Sequence, residues 1–117
     1  KKSYRQVAEQ IMGQRIELYS QKMQLFPKAV KFRGQKSIWG SCSHENKISL
    51  NFKLIVAPIQ VVDYVLVHEL AHIKHKNHSK RFWALVEQYT PYRDFSRQWL
   101  KEHGLKADYL GKKSELR

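Results

Sequence analysis

At 117 residues the chain is sized for one domain with a single core, not two. Its 42% hydrophobic content excludes an intrinsically disordered chain, and the single cysteine, Cys42, excludes an internal disulfide. Lysine and arginine outnumber aspartate and glutamate by 22 to 10, a formal +12 that attracts nucleic acids, nucleotides and acidic surfaces.

The basic excess is uneven. Residues 1–60 carry 11 basic and 3 acidic side chains, and residues 61–117 carry 11 and 7. A polyanion partner and a merely solubilising surface fit this charge equally well, because net charge speaks to nonspecific association and not to fold. The longest strongly apolar stretch, Leu54 to Val67, is interrupted by Pro58, Gln60 and Asp63, so no membrane-spanning segment is expected. No signal peptide is visible, and one free cysteine fits a reducing compartment, so a cytoplasmic location is expected. The chain starts at Lys1 and not at Met, which reads as a fragment of a longer protein.

Residues 4–23 are predicted helical. Val7, Ile11, Ile16, Leu18, Met23 and Leu25 recur among polar residues, Ser3 is placed to cap the start, and Pro27 closes the region. Residues 28–56 read as a small antiparallel sheet of about three strands. Ala29–Arg33 is the first, Gly34-Gln35 a turn, Ser37-Ile38-Trp39 the second, and Gly40–Asn46 a stretch of turn formers. Ile48–Phe52 alternates with period two as a third strand. Pro58 suits the first turn of a helix reaching about Lys76. Apolar residues surround its whole axis, which predicts burial on every side. Ser79 caps a third helix to about Tyr89, with Phe82, Trp83, Leu85 and Val86 facing inward. A fourth, about Tyr92–His103, presents Phe95, Trp99 and Leu100 and ends at Gly104. The division is therefore one domain over 1–104 and a basic tail over 105–117, in an α+β fold.

The chemistry lies in His68-Glu69-Leu70-Ala71-His72. Histidines four apart on a helix project from one face, one turn apart, so their ring nitrogens converge on a single ion. Glu69 points to the neighbouring sector, from which its carboxylate reaches a water on the metal without becoming a ligand. Zinc lowers the pKa of such a water towards about 7, and the carboxylate takes the proton as the nucleophile forms. A buried glutamate on an otherwise apolar helix is costly without such a partner. We therefore expect Glu69 as general base and His68 and His72 as ligands of one zinc ion.

A third ligand is required, and His75, His78 and Glu87 are candidates. His75 lies on the same face as His68, but a straight helix carries it about 10.5 Å further along the axis, too far to share an ion. His78 falls just past the predicted helix end, where Lys76-Asn77 can turn the chain back, and ranks first. Glu87, on the next helix, ranks second and would give a His-His-Glu set. His44 and His103 are isolated and read as surface residues. Cys42 reads as a small residue packed at a strand end, with approach to the metal as the weaker alternative.

The run Val67 to Trp83, built on His68-Glu69-Leu70-Ala71-His72 and His78, resembles the YgjP-like zinc metallopeptidases, which are related to the SprT-like proteases. Ser37 to Cys42, Leu50-Asn51 and Asp63-Tyr64 are also similar to that family's pattern, and the likeness covers about residues 28–104. The resemblance implies a minimal gluzincin-like fold with His68, His72 and His78 as zinc ligands and Glu69 as general base. It also implies that a strand near Ile38 to Ser41 pairs with an extended peptide substrate, with Gly40 and Ser41 permitting close approach, and that a further N-terminal portion is absent. Metzincins share the ligand spacing but carry glycine where this chain has His75, and no methionine turn follows. Tyr64, one turn before His68, is a candidate transition-state stabiliser, as are Tyr89 and Tyr92, and all three also suit a core role. The expected activity is hydrolysis of protein or peptide. Two alternatives remain: a zinc hydrolase of phosphate anhydrides or phosphodiesters, and a nucleic-acid-binding module with structural zinc.

Overall fold

The protein is described by a computed structural model covering residues 2–34 and 38–103. The expectations for Gln35, Lys36, Ser37, the Gly104 cap and the 105–117 tail lie outside the described residues.

Four helices and a three-stranded sheet follow in the order α1 (Tyr4–Met23), β1 (Ala29–Arg33), β2 (Gly40–Cys42), β3 (Lys47–Asn51), α2 (Ile59–Lys74), α3 (Lys80–Tyr89) and α4 (Arg93–Glu102), with a 3-10 turn at Phe52–Val56. Ser3 caps α1 in a capping box: its hydroxyl accepts from the Gln6 amide, and the Gln6 side chain accepts from the Ser3 amide. Ser79 caps α3 by accepting from the Phe82 amide. Both starts were legible because a hydroxyl directly preceded an uninterrupted helical pattern.

The face that α1 buries differs from the predicted one. Ala8, Met12, Ile16, Tyr19 and Met23 point inward, whereas Val7, Ile11 and Leu18 are exposed. The inward stripe is spaced by three and four residues; it keeps Ile16 and Met23 from the predicted set and adds Ala8, Met12 and Tyr19, which the bulk-apolar pattern had passed over. In α4, Ser96 and Leu100 are buried one turn apart, and Phe95 is turned to solvent.

The sheet is mixed. β2 pairs with β3 antiparallel, as expected, but β1 pairs with β3 in parallel, giving the order β1-β3-β2. The second strand spans Gly40–Cys42, inside the stretch read as turn formers, and leaves out Ile38 and Trp39. The turn itself occupies 43–46, where Asn46 adopts φ 67, a left-handed conformation that asparagine tolerates. Asn51 ends β3 by accepting from the Lys53 amide, which starts the 3-10 turn, while its amide nitrogen donates to the Ile38 carbonyl.

Every residue of α2 from Val61 to His72 is buried. This helix is the axis of the domain, packed by α1, α3, α4 and β2. Asp63 anchors α1 to it: Arg15 donates to both carboxylate oxygens, at 3.0 and 2.5 Å, and the Tyr19 hydroxyl donates at 3.0 Å. The α1–α2 joint thus fixes the first half of α2 and leaves its second half to carry the polar cluster. No helix among the described residues is long and apolar enough to cross a membrane.

Candidate metal centre

His68, Glu69 and His72 project from the second half of α2, and the chain then reverses to bring His78 back over them. One ligand-capable atom from each of His68, His72 and His78 lies within 4.8 Å of the others. The ring centroids are 5.0 Å apart for His68 and His72, 4.6 Å for His72 and His78, and 5.6 Å for His68 and His78. One ion with metal–nitrogen bonds of about 2.0–2.1 Å would need these ligand atoms within about 4.2 Å of one another, a spacing of the order seen here. His75 and Glu87 do not join the cluster. His75 caps the end of α2, and Glu87 faces Arg93 at 3.7 Å.

Backbone geometry selects the nitrogen that His72 presents. Its Nδ1 lies 3.0 Å from the His75 carbonyl oxygen. A carbonyl only accepts, so Nδ1 carries the proton and Nε2 keeps its lone pair for an ion. His75, set aside from sequence as a ligand because of its distance along the helix, contributes through its backbone.

Glu69 is buried beside the cluster, with Oε2 3.3 Å from His68 Nδ1. Gly40 of β2 lies directly above it. A Cβ added at Gly40 would sit 3.1 Å from Val65 Cγ1, 3.3 Å from Glu69 Cγ and 3.4 Å from Glu69 Oε2. The bare Cα of Gly40 therefore lets the strand rest on α2 at the carboxylate. Gly40 was expected to permit close approach of a substrate; its bare Cα permits close approach of the helix. Ser41 occupies the middle of β2, an edge strand of the sheet.

Two aromatic residues missed as site components wall the cluster. Phe82 stacks on His72, with centroids 4.4 Å apart and planes at 27°, and meets His68 edge-on at 5.0 Å. Trp83 stacks on His78 at 5.8 Å and 29°, and Arg93 places its guanidinium carbon 3.9 Å from the Trp83 ring centroid. The available signal was their position, one turn into a helix capped immediately after His78.

Tyr64 is fully buried, its ring 6.0 Å from that of His68. The Tyr89 hydroxyl is committed elsewhere, donating to the Lys22 carbonyl at 3.3 Å, and Tyr92 lies at the exposed start of α4. Cys42 stands outside the histidine cluster, partly buried against the core at the end of β2. The strand nevertheless carries it to α2, where Cys42 and His72 line one hollow. Sequence separation had hidden that proximity.

A family model described as the YgjP-like metallopeptidase domain matches residues 1–103. A search of curated proteins finds no match. Among solved structures, the metallopeptidase zymogen abylysin of Pyrococcus abyssi superposes with a TM-score of 0.68 at 21% identity, over 80% of this chain and 98% of that one. At that identity the likeness establishes a shared fold.

Proposed function

Because the chain belongs to the YgjP-like metallopeptidase family, we propose that it is a zinc-dependent peptidase in which Glu69 is the general base. The observation that carries this reading is the convergence of His68, His72 and His78 within 4.8 Å, with the Glu69 carboxylate alongside. Three imidazoles suit zinc among the available metals, and a fourth position is left for water or substrate. A zinc ion held there supplies Lewis acidity and lowers the pKa of a coordinated water.

The chain's own residues do the rest. His68 and His72 are fixed by the helix, and His72 is further oriented by the His75 carbonyl. His78 comes from the loop and is steadied by Trp83. Glu69 accepts the proton of the attacking water on its carboxylate and returns it to the leaving amine. Phe82 and Trp83 keep the surroundings apolar, which strengthens each electrostatic contact inside. The edge of β2 at Gly40 and Ser41 offers main-chain partners to an extended peptide, beside Glu69. Tyr64 supports the site from behind His68.

The test is a Glu69→Gln variant assayed with the parent for zinc content and for hydrolysis of an unstructured protein. About one zinc per chain is expected in both, with turnover lost by at least roughly 10²–10⁴-fold in the variant. No metal uptake by the parent sinks the reading, and near-parental hydrolysis by the zinc-bound variant removes Glu69 from the role of base.

A further inference from the structure

The edge strand and the site helix run side by side in register. Along α2, Val65, Glu69 and His72 follow at spacings of four and three, and Lys76 lies four further on, just past the helix end. On β2, Gly40 sits over Val65 and Glu69. Side chains two apart on a strand share a face, so Cys42 points to the same side, one step further along α2. There it lines a hollow of about 70 Å³ with Ser43, His44, His72 and Lys76. One ordered water needs roughly 10–15 Å³ of such space, so the hollow has room for a carboxyl-bearing side chain.

Its chemistry is one-sided. No lining residue is acidic, and Lys76 brings a full positive charge. The ammonium is held by two neutral oxygens, the Ser43 carbonyl at 3.5 Å and the Asn46 side-chain carbonyl. These fix its position without cancelling its charge, and an ammonium has three donors.

We propose that this hollow is a subsite for an acidic side chain, Asp or Glu, of a peptide substrate laid along β2, flanking the scissile bond. The proposal rests on the peptidase reading above and adds a selectivity to it. A peptide paired with the outer edge of β2 presents alternate side chains towards α2. The one level with Gly40 faces Glu69, and the one level with Cys42 faces His72 and Lys76. The +12 net charge favours acidic segments at the encounter stage, and Lys76 then discriminates locally.

The experiment uses the zinc-loaded chain and fluorogenic peptides that differ at one position at a time, each carrying Glu, Gln or Lys. The expected result is one position, on one side of the cleaved bond, where Glu exceeds Gln by roughly 10-fold or more in kcat/KM. Lys76→Met should abolish that ratio, Lys76→Glu should invert it towards the Lys peptide, and Lys76→Arg should retain it. Thermal midpoint and zinc content of each variant report whether the turn and the metal centre survive. Hydrolysis with no acidic preference, or a preference that persists in Lys76→Met, overturns the subsite and leaves the peptidase reading intact. If no peptide is cleaved, that reading falls by itself, and the subsite is decided by binding of the Glu and Gln peptides to zinc-loaded Glu69→Gln. Equal affinity, or no binding, overturns it there.

Discussion

His72 donates its Nδ1 hydrogen to the carbonyl oxygen of His75, 3.0 Å away. The bond ties the ring to the residue that caps α2 and so orients a ligand-capable side chain. Two neighbouring histidines thereby divide their labour: His78 offers a ring to the cluster and His75 a backbone oxygen.

The first prediction follows from that division. His78→Ala should lower zinc affinity by orders of magnitude, because it deletes one of three converging donors. His75→Ala keeps its carbonyl and should change affinity by only a few-fold. Titration against a chromogenic chelator measures both. The assignment fails if His75→Ala strips the metal and His78→Ala retains it.

The second prediction concerns the buried tie between α1 and α2. Asp63 accepts from Arg15 and Tyr19, so Asp63→Asn leaves donors without their anionic partner. With Arg15 a third exposed, solvent softens the loss, and a cost of about 1–3 kcal/mol is expected in urea unfolding. Burial, and then the Asp63 charge, raise the Tyr19 hydroxyl above its ordinary value of 10.0. The folded state therefore holds this proton where the unfolded chain has released it. The stability from the proton is complete below about pH 10 and is lost as pH climbs towards the raised folded value. The advantage of the parent over Tyr19→Phe should be constant from pH 7 to 9 and shrink above pH 10. An advantage that grows with pH there contradicts the linkage.

A third prediction concerns the charge. If the basic surface has a polyanion target, duplex DNA should bind at low salt, with affinity falling linearly in log–log form as salt rises. Fluorescence anisotropy over a salt series measures the slope. No binding at low salt leaves the charge as a solubilising feature.

Legibility from sequence tracked how local each signal was. Caps at Ser3 and Ser79, the all-round apolar α2, and the His68-Glu69-His72 spacing act within a few residues, and they read correctly as structure. The parallel pairing of β1 with β3 joins residues 29–33 to residues 47–51, which no short window contains. The inward face of α1 was misread because Ala8, Met12 and Tyr19 are weaker markers than Val7, Ile11 and Leu18, and packing on α2 chose between two interleaved stripes. The chain reversal that returns His78 was legible because Lys76-Asn77 follow the helix directly, whereas Cys42 beside His72 needed a strand docked on a helix. Distance in the chain, not chemistry, hid the contact between Gly40 and Glu69.

That contact gives the last prediction. Gly40→Ala should leave zinc bound and reduce hydrolysis. The new Cβ meets Val65 Cγ1 at 3.1 Å and Glu69 Cγ at 3.3 Å, distances that require shifts of a few tenths of an ångström. Overpacking of this kind costs about 1–3 kcal/mol when the surroundings cannot yield. Val65 is fully buried and Glu69 nearly so, but the β-branched valine is stiff at χ1, whereas the longer unbranched glutamate can rotate away. The displacement is therefore expected at Glu69, the proposed base, where small misplacements are expensive for rate. We expect kcat to fall on the order of 10-fold with zinc content unchanged and a thermal midpoint lowered by a few degrees. Removing Val65 Cγ1 opens the tighter of the two contacts, so Gly40→Ala combined with Val65→Ala should recover part of the lost rate even though the second change is itself destabilising. Recovery of rate without recovery of stability would locate the defect in the placement of Glu69. A double variant no faster than Gly40→Ala alone, at equal zinc content, would show that the strand and not the carboxylate had moved.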